Sequence, residues 1–581
     1  MVYGSSTMPT SCHVLSSLPA ELPVADPHAP ERARAVWFGR PERGLCGMLH
    51  LPDPARARGQ AIVICAPIGY EMWSAYAALR SLAGQLCDMG FGVLRFDYDG
   101  TGDSAGDHRD PDRLEAWVRS VDEACRYMLG QGHARELTLL GLRFGASLAA
   151  LHACRQASPA LRQLILWDPV VQGRRFVRGL RLIAASPPSG DDAGPDGTSI
   201  SVAGTVHGAA TLDALAGVDL LQQDAPLVRR MLVLRRAERE DARGLAERWS
   251  AQGAAVECLT VDGTAELIER AAEEAQAPTE IFRVLRDWLA CTPPAPDAPG
   301  DEPVPGVARH DRSRLVWDGV RLDESFVHVG PDELHGVLCQ AAGDASRERL
   351  LVFLNSGTEH HVGPGRLWVE FSRALAARGV PALRVDFQGI GESPLRVPSR
   401  QVRPYDSQQI AEAARIVEFA RAQGFGKVVL LGLCASAWIA LHAAEPAGAD
   451  AIVAINPQLY WRPGDPTPIE LSRFRKPGAA RRESRGAAWH LWSLLDAIGL
   501  RPRAARLLSG RRRRRIGVCL LFAEADPGIV YLRTRMGRRL RLLLTSGALQ
   551  LREIEAMDHP MHRHWLRSRA LEVIERFVHG A

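Results

Sequence analysis

The 581-residue sequence lacks long hydrophobic runs, paired-cysteine motifs and any large excess of charge. No apolar stretch reaches the roughly 18–20 residues that a helix needs to cross a bilayer. The first 35 residues have neither the basic n-region nor the apolar h-region of a signal peptide. They are expected to be a disordered lead-in (1–35), and the chain is expected in the cytoplasm. Eleven cysteines occur without a CxxC pair or metal-type spacing. Small buried thiols are the expectation, with no metal centre and no cofactor. A formal net charge of +4 argues against a chain that binds nucleic acid over its whole surface.

What is present is a duplication. Residues 291–306, CTPPAPDAPGDEPVPG, carry six prolines and no apolar periodicity, and the stretch 291–310 reads as a linker. The segments on either side run in parallel. GLCGMLHLP (44–52) matches ELHGVLCQA (333–341), AIVICAPIGYE (61–71) matches LLVFLNSGTEH (350–360), and FGVLRFDYDGTGDS (91–104) matches VPALRVDFQGIGES (380–393). The offset stays near 290: Asp97 to Asp386 is 289, and Arg143 to Cys434 is 291. A period this long means two domains, expected over 36–290 and 311–581. In each, continuous apolar strands alternate with amphipathic helical stretches, the pattern of a mostly parallel, doubly wound α/β sheet covered on both faces.

A strand, a small-residue loop, a D-x-x-G-x-G-x-S turn and a G-x-nucleophile-x-G strand-to-helix elbow together resemble the α/β-hydrolase fold. The resemblance spans about 40–290 and 325–580. More narrowly, APIGYEMWSAYAALRSLAGQLCDMGFGVLRFDYDGTGDS with GLRFGA is similar to the hydrolase-like proteins associated with exosortase systems. LNSGTEHHVGPGRLWVEFSRALAARGVPALRVDFQGIGES looks like their companion type.

The second elbow, Gly432-Leu433-Cys434-Ala435-Ser436, puts a cysteine where a nucleophile belongs. A helix N-terminus favours a thiolate there, whereas the bland reading is a buried thiol after a strand. Ser436 stands where the family usually has glycine. Asp526, 92 residues past Cys434, matches the family's acid position, with Glu524 as fallback. His559, 33 residues further, matches the base, with His562 as local competitor. The order nucleophile, acid, base is the order expected of this fold. The oxyanion hole is expected from the N–H of Ala435 and one from Ser356 or Gly357. Glu359 and His360 are substrate-binding candidates in that loop. The His360–His361 pair is weak evidence for metal, and Asp386 is expected to bind backbone amides near the site.

The first elbow carries Arg143, which cannot attack a carbonyl. Glu238 or Asp241 stands near the acid position and Thr264 near the base, and no histidine occurs from 208 to 309. This copy is expected to be a pseudo-hydrolase. Arg143 either binds an anion at the helix N-terminus or closes an internal salt bridge. Each copy has a lid insertion, about 172–222 and 461–515. The second holds fourteen Lys/Arg against two acids from Arg473 to Arg515. Such charge is either a solvated face or a steering surface for an anionic acyl carrier protein, a coenzyme A thioester, a phospholipid headgroup or an acidic polysaccharide. Trp489, with Trp492, either lines an acyl tunnel or forms lid core. The expected activity is hydrolysis or acyl transfer on an ester or thioester through a Cys434 acyl-enzyme. A cysteine-type cyclase or acyltransferase is one alternative, and a non-catalytic binding module is the other.

Overall fold

A computed structural model describes residues 33–130, 134–185, 194, 197–270, 272, 274–295, 309–310, 312–343, 346–396, 402–459, 507–508, 516–524 and 526–580. The expected lead-in up to 32, most of the Pro-rich stretch and nearly all of the basic lid, Trp489 and Trp492 included, lie outside the described residues. Strand β1 (Ala33–Arg40) already begins inside the expected lead-in.

Among the described residues, two nine-stranded sheets organise the chain. The first contains β1, β2 (Arg43–His50), β3 (Gln60–Cys65), β4 (Gly92–Phe96), β5 (Glu136–Leu142) and β6 (Leu161–Trp167). The hairpin β7–β8 (Ile200–Val202, Thr205–His207) forms a separate two-stranded sheet, and β9 (Arg230–Arg235) and β10 (Val256–Thr260) complete the parallel run. The order is β10-β9-β6-β5-β3-β4-β2-β1, with a two-residue strand β11 (Arg309–His310) added beside β1. The stretch read as a linker therefore ends paired to the first sheet.

The second sheet starts with β12 (Ser313–Trp317) and then repeats the plan. Its strands are β13 (Val320–Val329), β14 (Leu334–Ala341), β15 (Arg349–Phe353), β16 (Ala382–Val385), β17 (Lys427–Leu433), β18 (Ala451–Ile455), β19 (Gly517–Ala523) and β20 (Leu549–Ile554). Their order is β13-β14-β16-β15-β17-β18-β19-β20. In both sheets the second strand is antiparallel to its neighbours and the rest of the central run is parallel. This crossover order, twice over, is the α/β-hydrolase fold.

The strands read as unbroken apolar runs because helices cover both faces. Gln60–Cys65 is buried at every position. Separate cores fill the two sides of each sheet, around Trp117, Phe144 and Trp249 or Phe91, Trp167 and Phe282 in the first, and around Trp438 and Phe522 or Phe353 and Phe371 in the second. Of the cysteines, Cys46, Cys65, Cys87, Cys125, Cys339 and Cys519 are buried thiols, and no disulfide occurs among the described residues. Within the described residues no helix is long and apolar enough to cross a membrane.

Candidate active site

The two elbows have the same backbone. Cys434 sits between β17 and the helix Ala435–Ala447 at φ 57°, ψ −109°, and Arg143 sits between β5 and the helix Phe144–Arg155 at φ 55°, ψ −123°. A non-glycine residue in this region is strained and persists only where its surroundings hold it. Here the anchors are equivalent hydrogen bonds, Cys434 N to Ile455 O and Arg143 N to Trp167 O, both 2.9 Å. Sharpness of the turn also demands glycine two residues earlier. A Cβ at Gly432 would stand 2.3 Å from the Ser436 carbonyl carbon, and one at Gly141 would stand 2.3 Å from the Ala146 Cα. Ser436 itself is accommodated: it is buried, with Oγ accepting from Leu433 N at 3.0 Å and donating to Leu433 O at 3.1 Å.

Behind Cys434 the chain brings together Asp526 and His559. Asp526 caps the helix Pro527–Thr545, accepting from Gly528 N at 2.8 Å through Oδ1. Its Oδ2 lies 2.5 Å from His559 Nδ1. This contact fixes the imidazole so that its other nitrogen faces away from the acid. Burial pushes the imidazole down, but hydrogen bonds to Asp526 and the Cys434 thiol, with their charges, carry it up to about 10. Asn456, at φ 47°, donates to His559 O at 2.6 Å and accepts from Ala523 N at 2.7 Å, tying the base loop to the end of β19. Glu524 is exposed and instead accepts from Ala556 N. His562 turns toward the first copy, its ring 5.9 Å from Trp73.

Two further side chains reach the sulfur. Tyr405 Oη is 3.5 Å from Cys434 Sγ, and Gln458 Nε2 is 3.8 Å away. Both residues are buried. No motif or spacing marks them in sequence. Gln458 lies two residues past Asn456, and the position is visible only once β18 is known to end beside the elbow.

Ala435 is the first residue of its helix, so its N–H has no helical acceptor four residues back. The loop after β15 holds Ser356 and Gly357. Asn355 Nδ2 closes this loop onto Glu359 O (3.0 Å) and Asp386 (2.8 Å), and Asp386 Oδ1 also accepts from His361 N at 2.6 Å. Asp386 thus binds the loop backbone as the sequence suggested. His360 stacks on Tyr76 with ring centroids 4.0 Å apart. Glu359 takes part through its backbone, its N–H bonding Ser356 O.

In the first copy the same positions hold a closed charge cluster. Arg143 is buried, with Nε 3.1 Å from Glu71 and Nη1 3.3 Å from Asp168. Asp168 is the counterpart of Asn456, at φ 46°, and also pairs with Arg236 at 2.8 Å. Glu238 and Asp241 pair with Arg236 and Arg175 respectively. Thr264 is fully buried and accepts from Trp167 Nε1 at 2.9 Å. Arg143 therefore makes the internal salt bridge, and a cavity of about 130 Å³ lies beside it, walled by Phe176 and Leu180.

One group of metal-type ligands is buried between the copies: His108, Glu370 and His564, with ligand atoms within 4.8 Å of one another. The Arg567 guanidinium already stands among them, 3.0 Å from Glu370 Oε2 and 3.4 Å from His564 Nδ1, where a cation would have to sit.

Fold and site together define a chain of the α/β-hydrolase fold with two different elbows. Residues 60–187, less than a quarter of the chain and all in the first copy, match the family model for serine aminopeptidase, S33. Among solved structures, the chain is similar to the esterase Est1E from Butyrivibrio proteoclasticus with ferulic acid bound (12% identity, 44% of this chain and 97% of that one, TM-score 0.35). It is also similar to a proline iminopeptidase from Mycobacterium smegmatis (16%, 44% and 97%, TM-score 0.31). Alpha/beta hydrolase domain-containing protein 10 from mouse matches as well (13%, 44% and 99%, TM-score 0.31). No curated protein matches the sequence.

Proposed function

We propose that the second copy is a cysteine-type acyl hydrolase or acyltransferase acting on an ester or thioester, and that the first copy carries no chemistry. The observation that carries this reading is the Asp526–His559 contact at 2.5 Å, with His559 engaging the sulfur of a strained elbow residue. A merely structural cysteine has no use for such a partner set.

In this reading His559 takes the thiol proton as the sulfur attacks the acyl carbon, and the developing oxyanion is met by the N–H groups of Ala435 and of Ser356 or Gly357. Collapse breaks the bond to the leaving oxygen or sulfur, which takes the proton from His559. Water, or another acceptor, then gives a proton to His559 and its oxygen attacks the thioester, releasing the acid or the transfer product and restoring the thiol. Thioesters and activated esters suit a sulfur nucleophile better than amides, because the sulfur is a better leaving group than an amine. The basic run from Arg473 to Arg515 complements an anionic donor such as an acyl carrier protein or a coenzyme A thioester.

The test is mass spectrometry of the protein quenched during turnover of an acyl thioester and of a p-nitrophenyl ester. The acyl mass should appear on the Cys434 peptide and be absent in Cys434→Ala. Undiminished turnover by Cys434→Ala would sink the proposal. Absence of turnover and of acylation in the wild type would leave the binding-module alternative.

A further inference from the structure

The two D-x-x-G-x-G-x-S turns, Asp97–Ser104 and Asp386–Ser393, are each gripped by the other copy. Glu392 accepts two hydrogen bonds of 2.9 Å from Arg95 and another from Tyr76 Oη. Asp103, 289 positions before Glu392, pairs with Arg384, 289 positions after Arg95. All four charged residues are buried. The exchange is reciprocal, as across a two-fold interface.

The reciprocity is incomplete, and at His361 the first copy reaches toward the candidate site. His361 is buried with Nδ1 2.7 Å from Asp386 and Nε2 2.6 Å from Asp103; the first copy has Met72 at the matching place. His361 ends the loop that carries Ser356 and Gly357. At Gly357 φ is 60°, and among the described residues nothing lies within 4 Å of where a Cβ would stand. The middle of the loop is held by its own hydrogen bonds, Asn355 Nδ2 to Glu359 O and Glu359 N to Ser356 O, and its ends tie it to the rest of the molecule. One end continues β15. The other is fastened within its own copy by Asp386 on His361 N and Nδ1, and across the copy boundary by Asp103 on His361 Nε2 and by the Tyr76 ring on His360.

We infer that the first copy is a positioning element for acyl transfer in the second, with Asp103 and Tyr76 fixing the loop that presents the Ser356 and Gly357 N–H groups. This rests on the reading of Cys434 as nucleophile. Oxyanion donors act only when held in place before charge develops, and a loop that keeps Asp386 but loses its cross-copy fastenings loses part of that order. Asp103 and Tyr76 are positioning residues that need not touch substrate.

Asp103→Asn and Tyr76→Leu, in the full chain, test this by two measurements. Backbone hydrogen exchange over 354–362 should accelerate about tenfold or more, while the strands of the second sheet keep their protection. Ester hydrolysis should lose about 10- to 100-fold in kcat with KM within about threefold. Iodoacetamide, whose reaction with a thiol creates no oxyanion, should alkylate Cys434 at the wild-type rate. Unchanged exchange overturns the inference. So does an equal loss of alkylation and turnover, which marks a structural role alone, and so does full turnover with a loosened loop. If Asp103→Asn fails to fold, Tyr76→Leu, at a half-buried ring, carries the test. A wild type that turns over no ester or thioester overturns the catalytic reading and the acyl-transfer part of this inference with it. Accelerated exchange would then show the loop held for another purpose, which separates the two failures.

Discussion

Arg143 and Cys434 occupy one backbone conformation in two copies of a fold, and nearly everything around them differs. At the first elbow the counterpart of Asn456 is Asp168 and the counterpart of His360 is Glu71, so the guanidinium is neutralised on two sides. At the second elbow the same positions are uncharged, and Asp526 is joined to His559, which bonds the sulfur. The difference teaches that an elbow's strain belongs to the fold rather than to catalysis. Both copies maintain it, and only one surrounds it with an acid–base pair.

The strongest test of that contrast is to remove the chemistry where it is proposed and to supply a nucleophile where it is missing. Cys434→Ala should lose at least about 10³-fold in turnover, and His559→Ala a comparable amount. Arg143→Cys should gain none, because Thr264 holds the base position and is bonded to Trp167. Turnover and iodoacetamide labelling of each variant check both arms. Next in size, Asp526→Asn should lower kcat about 10²-fold, since the imidazole loses its tautomer-fixing partner. Steady-state kinetics read this directly, and an unchanged kcat would return Asp526 to helix capping alone.

Arg143→Ala should act on stability instead. It strips the hydrogen-bonded partner from Glu71, whose carboxyl burial already pushes up. Breaking one side of a buried pair costs about 3–5 kcal/mol. Urea denaturation should show that loss in the transition of the first copy, with turnover per folded molecule unchanged.

Much of this was legible in the chain itself. The strands were readable because unbroken apolar runs such as Gln60–Cys65 mean burial on both faces, and the elbows because glycine is compulsory at Gly141 and Gly432. Asp526 and His559 came from the resemblance, whose acid and base positions they match in the fold's order. What escaped were contacts set by packing between copies. Arg95 with Glu392 and His361 with Asp103 join residues 297 and 258 positions apart, and no local pattern encodes such a meeting. Tyr405 and Gln458 escaped for a related reason: each reaches Cys434 from a loop whose path depends on the finished sheet.

The junction should also respond to pH from both sides. Burial pushes His361 down, but Asp386 and Asp103 carry it up to about 10 from an ordinary 6.5, so its contribution is complete below 6.5 and is lost as pH rises through about 10. His50 and His108 are pushed down to about 3, and His335 and His360 to about 4, chiefly by burial. They fold uncharged, so their contribution is present above 6.5 and falls away as pH drops below it. The Tm should therefore be greatest between about pH 7 and 9, and His361→Gln should make the alkaline limb shallower, leaving the part His559 contributes, while leaving the acid limb in place.

The smallest effect expected is at Ser436, where the two elbows differ by a single side chain. Gly145 packs so closely that a Cβ there would lie 2.2 Å from the carbonyl oxygens of Cys65 and Ala66. Ser436 occupies the equivalent place with its side chain buried and bonded to Leu433. Ser436→Gly removes two local hydrogen bonds to Leu433 and adds backbone freedom, a cost of about 1 kcal/mol. Turnover should change by less than about threefold, because the elbow angle is fixed by Gly432 and by the Cys434 N–H bond to Ile455 rather than by the hydroxyl. A large gain would mean that the Ser436 side chain limits the reaction and that the glycine elbow of the first copy is the better catalytic frame. A large loss would assign the Ser436 hydroxyl a part in holding Cys434.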